Sequence, residues 1–347
     1  MNETSNILAD AAGRAFARFR TGGSPGDRET STSPEWEAVV SLGLPLALAT
    51  EAAGGSALEF GEAFPLFRQI GYDGVALPLA DTMIAAGALS HAGLAIPDGI
   101  LAIAPSCVDE HFAMSRVAGG WHVQGRATRI GWARAAAGVV CSITHDETRY
   151  LAVIPVGDFR VQEGSNLAGE PQDGVTIDCI VPPAQVAVLP EGWSMIELAA
   201  AARTAQIAGA LDRVLEFSVN YAQDRVQFGR PIGKFQAVQQ LLAVLAGQVA
   251  IGAAAAGLAA EGAARRDRTD IAIAKAGAGE AAGVAAAIAH QVHGAMGVTR
   301  EHPLHHWTLR LLSWRDDFGG DVAWQKEIGA KALAGGGGPA LWAALTR

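Results

Sequence analysis

Only three cysteines, Cys107, Cys141 and Cys179, occur in 347 residues. An odd, sparse set without CxxC spacing speaks against a disulfide framework and against a zinc site. It fits a reducing compartment, so a cytoplasmic protein is expected. Positive charge is also short: 26 Lys and Arg face 35 Asp and Glu, a formal net charge of -9. The basic residues are scattered, which argues against a nucleic-acid surface. No apolar core of a signal peptide is present in the first thirty residues. One long apolar run exists, Leu241–Ala260. It is mostly Ala and Gly and lies inside a longer helical pattern, so it predicts a buried helix and no membrane span.

Apolar residues, by contrast, make up 50% of the chain, and aromatics only 6%. Abundant alanine with few large rings favours closely packed helices. The length allows two or three domains with cores of their own. Helical spacing covers residues 1–20 and, with breaks, 34–93. Ser33 is a good N-cap there, with Pro34 at the first helical position and Glu35 and Glu37 in the first turn. From Ile100 the texture changes to short Val/Ile/Thr-bearing runs bounded by Gly, Asp, Asn and Pro, the pattern of antiparallel strands. The stretch VAGGWHV reads as a hairpin with a Gly-Gly turn. From about Ser194 the helical texture returns, in four long helices (194–225, 235–266, 269–294, 302–314) and a tail helix near 321–334. The expected fold is α+β: an N-terminal helical domain (1–99), a central antiparallel β-barrel or sandwich (100–192) and a C-terminal four-helix bundle (193–347).

Several motif matches fail on context. Gly22-Gly23-Ser24-Pro25-Gly26 has the spacing of a hydrolase nucleophile turn but no strand before it and a proline after the serine. The glycines of Gly277–Gly283 sit inside a helical run, so they do not form a dinucleotide fingerprint. His302, His305 and His306 have metal-ligand spacing, yet Pro303 and Trp307 point to interface packing, and no metal is expected.

The stretch RVQFGRPIGKFQAVQQLL, Arg225 to Leu242, breaks a helical hairpin with a specific polar and aromatic set. Arg225 offers a planar, permanently charged donor for phosphate. Gln227 and Gln236 offer amides, Phe228 an apolar wall, and the glycines with Pro231 a tight turn close to a ligand. The same stretch fails as a P-loop, because Phe235 stands where Ser or Thr is required.

This stretch resembles the R-x-x-F-G-x-x-(I/L)-x-x-(F/H)-Q turn of the acyl-CoA dehydrogenase family, and the order of helices, strands and helices resembles that family along nearly the whole chain. A second segment, HQVHGAMGVTREHPLHHWTLR (290–310), resembles the family's Q-(I/V)-x-G-G helix end. The resemblance implies FAD as cofactor. It implies contacts from Arg225, Gln227, Phe228 and Gln236, and from Gln291, Val292, His293, Gly294 and Ala295, to a flavin bound mainly by a neighbouring subunit. It also implies an acyl-CoA substrate, an electron-transfer flavoprotein as electron acceptor, and an oligomer.

Three departures accompany the resemblance. In place of the family's T-E-P-x-x-G-S-D segment stands IAPSCVDEHFA (103–113), keeping Pro105, Ser106 and Asp109. In place of W-I-T-N stands TRIGWARAA (128–136), with Trp132-Ala133-Arg134. The family's Y-E-G-T glutamate, the base for the alpha proton, aligns with Phe318, one residue after Asp317. Asp316 is the next nearest carboxylate, and on the alternative first-helix site, near Met195, Glu197 is two residues off. Aspartates beside glycines are also ordinary helix caps.

Two functions remain open on these residues. In the first, the chain desaturates an acyl-CoA thioester at the alpha–beta bond with FAD, and Asp317 is the base. In the second, the chain is a non-catalytic partner of a longer acyl-CoA dehydrogenase subunit and lends FAD contacts across the interface. The small residues Ala199–Ala202 and Ala205 suggest room for a bulky acyl group.

Overall fold

A computed structural model describes residues 3–19, 33–107, 110–299 and 301–334, together with 338 and 342. The glycine-rich match at 22–26 and Asp109 lie outside the described residues.

The N-terminal part consists of α1 (Glu3–Phe19), α2 (Pro34–Ser41), α3 (Phe64–Asp73) and α4 (Leu79–His91). The Ser33 side chain accepts the Trp36 amide at 3.1 Å, the cap that Ser-Pro-Glu announces. α4 is buried almost from end to end and forms the floor under the β domain.

Eight strands follow: β1 (Leu101–Ala104), β2 (Phe112–Val117), β3 (Gly120–Gly131), β4 (Gly138–His145), β5 (Thr148–Pro155), β6 (Phe159–Gln162), β7 (Gln172–Val181) and β8 (Val186–Val188). They form two four-stranded sheets, ordered β1-β4-β5-β8 and β2-β3-β7-β6. All pairs are antiparallel except one. β1 runs parallel to β4, because it arrives directly from α4 rather than through a hairpin. The expected Gly-Gly turn is shifted by one residue. Val117 pairs with Gly120, so Ala118 and Gly119 make the turn and Gly120 begins the strand.

β3 carries a β-bulge. Its register with β7 holds to Ala127, shifts, and resumes at Ile130 opposite Asp173. Arg129, inside the bulge, has φ +59. Such a kink re-aims a side chain, and here it sends the Arg129 guanidinium out of the sheet to the Asp316 carbonyl, 2.6 Å away.

The C-terminal part is α5 (Met195–Asp224), a two-residue hairpin β9 (Val226–Gln227) and β10 (Arg230–Pro231), α6 (Gln236–Arg265), α7 (Arg268–His293), α8 (Leu304–Trp314) and α9 (Asp321–Ala334). α3 and α5 approach to backbone contact. A Cβ on Gly71 would sit 1.9 Å from the Gln206 carbonyl oxygen, and one on Gly209 would sit 1.9 Å from that of Arg68. The alanines Ala199–Ala202 and Ala205 of α5 are fully buried.

α6 departs from the sequence expectation of a buried helix. Of the residues in its most apolar window only 22% are buried. Leu245, Gly252, Ala255, Ala256, Ala259 and Gly262 pack inward. The opposite face, with Val244 and Ile251 about half exposed, is open. Composition reports how apolar a helix is, not whether its own chain covers it. By length and composition alone α6 and α7 could both cross a membrane, but α7 is mostly buried in the bundle.

Candidate functional site

Two regions collect the residues singled out by sequence, at different heights of the bundle.

The first is a cleft between α4, the β domain, α5 and the α8–α9 turn. Asp81, Ser106, Arg129, Trp132, Gln172, Arg203, Gln206, Trp314, Asp317 and Phe318 are among its lining residues. The space between its lining atoms, counted out to open solvent, is about 540 Å³. Arg203 reaches across it. Its Nε lies 3.3 Å from Asp317 Oδ2 and its Nη2 lies 3.6 Å from Asp81 Oδ1. Its Nη1 donates to Gln206 Oε1 at 2.5 Å. The guanidinium also sits 5.5 Å from the ring centres of both Trp314 and Phe318, within cation–π range.

Asp317, the candidate base, is engaged on every side. Gln172 Nε2 donates to its Oδ1 at 2.9 Å, and Arg129 Nη2 stands 3.9 Å from the same oxygen. Burial raises the proton affinity of its carboxyl above the usual range, while Arg203, Lys275 and Arg129 pull it back. Asp81 is pushed up to about 6 by burial, against the opposing pull of Arg203. Phe318 is buried at φ +54, and its ring lines the cleft at the position aligned with the family's glutamate. The backbone of Asp316 accepts from Arg129 and its side chain is exposed. Glu197 faces elsewhere: it is ion-paired with Arg268 at 2.8 Å, beside α7 and α9.

Lys275 fixes the turn that carries these aspartates. It is fully buried in α7, and its Nζ donates to the Arg315 carbonyl at 2.7 Å and to the Gly319 carbonyl at 3.1 Å. Burial lowers its pKa to about 8, with Asp317 and Asp321 opposing. The Trp132-Ala133-Arg134 turn is fixed in the same manner. Arg134 binds Asp173, a fully buried carboxylate, through its backbone N–H (2.9 Å) and its Nε (3.0 Å).

Sequence reading missed Asp81, Arg129, Gln172, Arg203 and Lys275. Arg203 and Lys275 did leave a signal. Each is a lone cation in an apolar helical run, LAAAARTAQIAGAL and IAIAKAGAG, where an unpaired charge would be costly. Asp81, Arg129 and Gln172 lie far apart in sequence and meet only through the fold.

The second region is the hairpin end of the bundle. Phe228 and Gly229 form its tip with φ +52 and +78, the left-handed pair of a tight two-residue hairpin turn. Phe228 is 93% exposed. Arg225, Gln227 and Gln236 are exposed too, and Gln227 Nε2 donates to the neighbouring Val226 carbonyl. The end of α7 reaches the same height. Tyr221, four residues before Arg225, stacks on His293 with ring centres 4.5 Å apart. Gln291, Gly294 and Ala295 are exposed there, while Val292 and His293 are buried. His293 Nδ1 lies 2.8 Å from the Ala289 carbonyl, and its ring meets that of His302 at 4.6 Å. Both predicted FAD segments therefore share one end of the bundle. Asp317 does not join them: its partner Arg203 lies roughly 27 Å down α5 from Tyr221 at 1.5 Å per residue.

The hairpin fits a dinucleotide. Arg225 has no carboxylate partner among the described residues, an amide and an aromatic ring stand open beside it, and glycine backbone at the tip and at Gly294 permits close approach.

Residues 193–334 match the family model of the acyl-CoA dehydrogenase C-terminal domain. Over 331 residues the chain is 30% identical to acyl-CoA dehydrogenase FadE27 of Mycobacterium tuberculosis, a match covering 85% of this chain and 86% of that one. A stretch of 114 residues is 41% identical to acyl-CoA dehydrogenase IpdE2 of the same organism, covering 33% of this chain and 35% of the relative's length. Among solved structures, the ChsE4-ChsE5 complex from Mycobacterium tuberculosis shares the fold, with TM-score 0.83 and 24% identity over 96% of this chain and 98% of that chain.

Proposed function

We propose, for a chain that belongs to the acyl-CoA dehydrogenase family, that it is the non-catalytic subunit of a heteromeric acyl-CoA dehydrogenase. FAD, when bound, takes up the hydride removed from the beta carbon of an acyl thioester. This chain's part is to hold it. Arg225 and Gln227 would meet its phosphates, Gln236 its adenosine side, Phe228 its apolar side, and Gln291–Ala295 would form the second wall. A longer family subunit would supply the thioester pocket and the base, and an electron-transfer flavoprotein would collect the electrons.

One observation carries this reading: the candidate base is already engaged by arginine. Arg203 lies between Asp81 and Asp317, and Phe318 stands at the place of the family's carboxylate. At the hairpin end, in contrast, Arg225 has no carboxylate partner among the described residues, and α6 leaves an apolar face open beside it. A face of that kind fits a protein interface. The ChsE4-ChsE5 complex, which shares the fold, is an assembly of two named chains.

A second reading keeps desaturation in this chain, with Asp317 as base. It draws on the position of Asp317 at the cleft and on its raised proton affinity. Against it stand the arginine contacts of that carboxylate, which hold it away from a substrate.

The test is a visible spectrum. The chain purified alone should be colourless, and it should turn yellow only when co-purified with a longer acyl-CoA dehydrogenase chain. A yellow homo-oligomer bleached by acyl-CoA, with turnover lost in Asp317→Asn while flavin stays bound, would establish the second reading instead.

A further inference from the structure

The hairpin holds a cation that the family motif leaves unassigned. Arg230 stands opposite Gln227 in the short β9–β10 ladder. Its guanidinium carbon lies 4.3 Å from the centre of the Phe235 ring. Phe228 meets the same ring edge-on, with centres 6.1 Å apart and planes at 82°. One side chain thus supports both the arginine and the exposed aromatic tip.

Arg225, Arg230 and Lys234 fall within ten residues, and among the described residues none of them has a carboxylate partner. Several other cations of the bundle are paired: Arg265 with Glu261, Arg266 with Glu191, Arg268 with Glu197 and Glu327, and Arg315 with Asp321. In a chain of net charge -9, three uncompensated cations on one turn mark a seat for a polyanion. Stacking adds direction. The Phe235 ring supports the Arg230 guanidinium, so less freedom is lost when a phosphate is gripped. The tip is also strained: Phe228 keeps a left-handed backbone that bulky residues avoid. Strain at an exposed turn persists where the turn is used.

Resting on the reading that this hairpin serves FAD, we infer that Arg230 is a second phosphate-binding arginine, positioned by Phe235, and that Arg225 and Arg230 together take the two phosphates of an adenosine pyrophosphate. The shared chemistry is found in FAD and in coenzyme A. We assign it to FAD because Arg230 pairs across the ladder with Gln227, a residue of the flavin segment.

The test uses the co-purified assembly, stripped of flavin, with wild type, Arg225→Gln, Arg230→Gln, Arg230→Lys and Phe235→Leu. FAD affinity is read by flavin fluorescence, with ADP as competitor, and coenzyme A is titrated separately. Loss of a charge-assisted bond should weaken FAD and ADP binding about ten- to hundredfold in Arg230→Gln. Arg230→Lys should recover part of this and Phe235→Leu should lose severalfold, with coenzyme A affinity unchanged throughout. Wild-type FAD affinity in Arg230→Gln, with weak binding in Arg225→Gln, overturns the inference and leaves the proposed function standing. Weakened coenzyme A binding with normal FAD binding overturns the assignment to FAD. An assembly whose FAD affinity ignores Arg225→Gln as well overturns the proposed function itself.

Discussion

Replacing Arg203 by methionine tests the buried ion cluster directly. Arg203 is the shared partner of Asp81 and Asp317, and all three side chains are about nine-tenths buried. Removing one partner from a buried ionic group costs about 3–5 kcal/mol, because the charge left behind has neither water nor partner. The two carboxyls can escape that cost by taking up protons. Burial already raises both, Asp81 to about 6, and Arg203 is the main influence opposing the rise in each. Without it both should move further up. A carboxyl whose folded pKa is raised stabilises the fold at low pH, and that contribution disappears as pH climbs through the folded pKa. The deficit of Arg203→Met should therefore be small near pH 5 and reach about 3–5 kcal/mol by pH 8. Urea unfolding of the full chain at pH 5, 6, 7 and 8 measures it. Adding Asp317→Asn should recover a good part of the loss at pH 8. A deficit that is flat with pH, or below about 1 kcal/mol at pH 8, would refute the idea that Arg203 neutralises a buried acidic pair.

Asp81→Asn should remove a pH dependence from the wild type. The shift from 3.8 to about 6 corresponds to about 3 kcal/mol that the native chain loses between roughly pH 4 and 7 and that the variant keeps, as urea unfolding across that range would show. Gly71→Ala should destabilise by at least about 3 kcal/mol, since its new methyl would collide with backbone of α5; an unchanged denaturation midpoint would contradict the close packing of α3 on α5. Phe228→Gly should raise the stability of the isolated chain by about 1 kcal/mol through relief of a left-handed backbone, while weakening FAD retention in the assembly. Ser33→Ala should cost about 1 kcal/mol, read by thermal unfolding.

The helices were legible because local rules govern them. Ser33 capped as its sequence context predicts, and the breaks around Gly229-Pro231 and Gly294 fell where helices end. The strand domain was legible as texture, but β1 pairs in parallel because pairing direction depends on how a strand is reached. The small alanines of α5 were read as room for a ligand. They are fully buried, and it is Gly71 and Gly209 that let the backbones of α3 and α5 meet. The ion cluster of the cleft was the least visible part. Asp81, Gln172, Arg203 and Asp317 come from four separate stretches, and no spacing rule links them. The aspartates beside Gly319 could be seen, yet nothing local tells a base from a carboxylate already occupied by arginine.

The open side of α6 has a consequence for how such a chain is made. Under the proposed assembly, each molecule synthesised without its counterpart carries a sticky flank into the crowded cell. Its melting temperature should climb with the supply of whichever polypeptide covers that flank. Surplus copies would be the ones that chaperones and proteases remove. The ratio in which the two gene products are translated, more than the dose of either, would then set the yield of working complex.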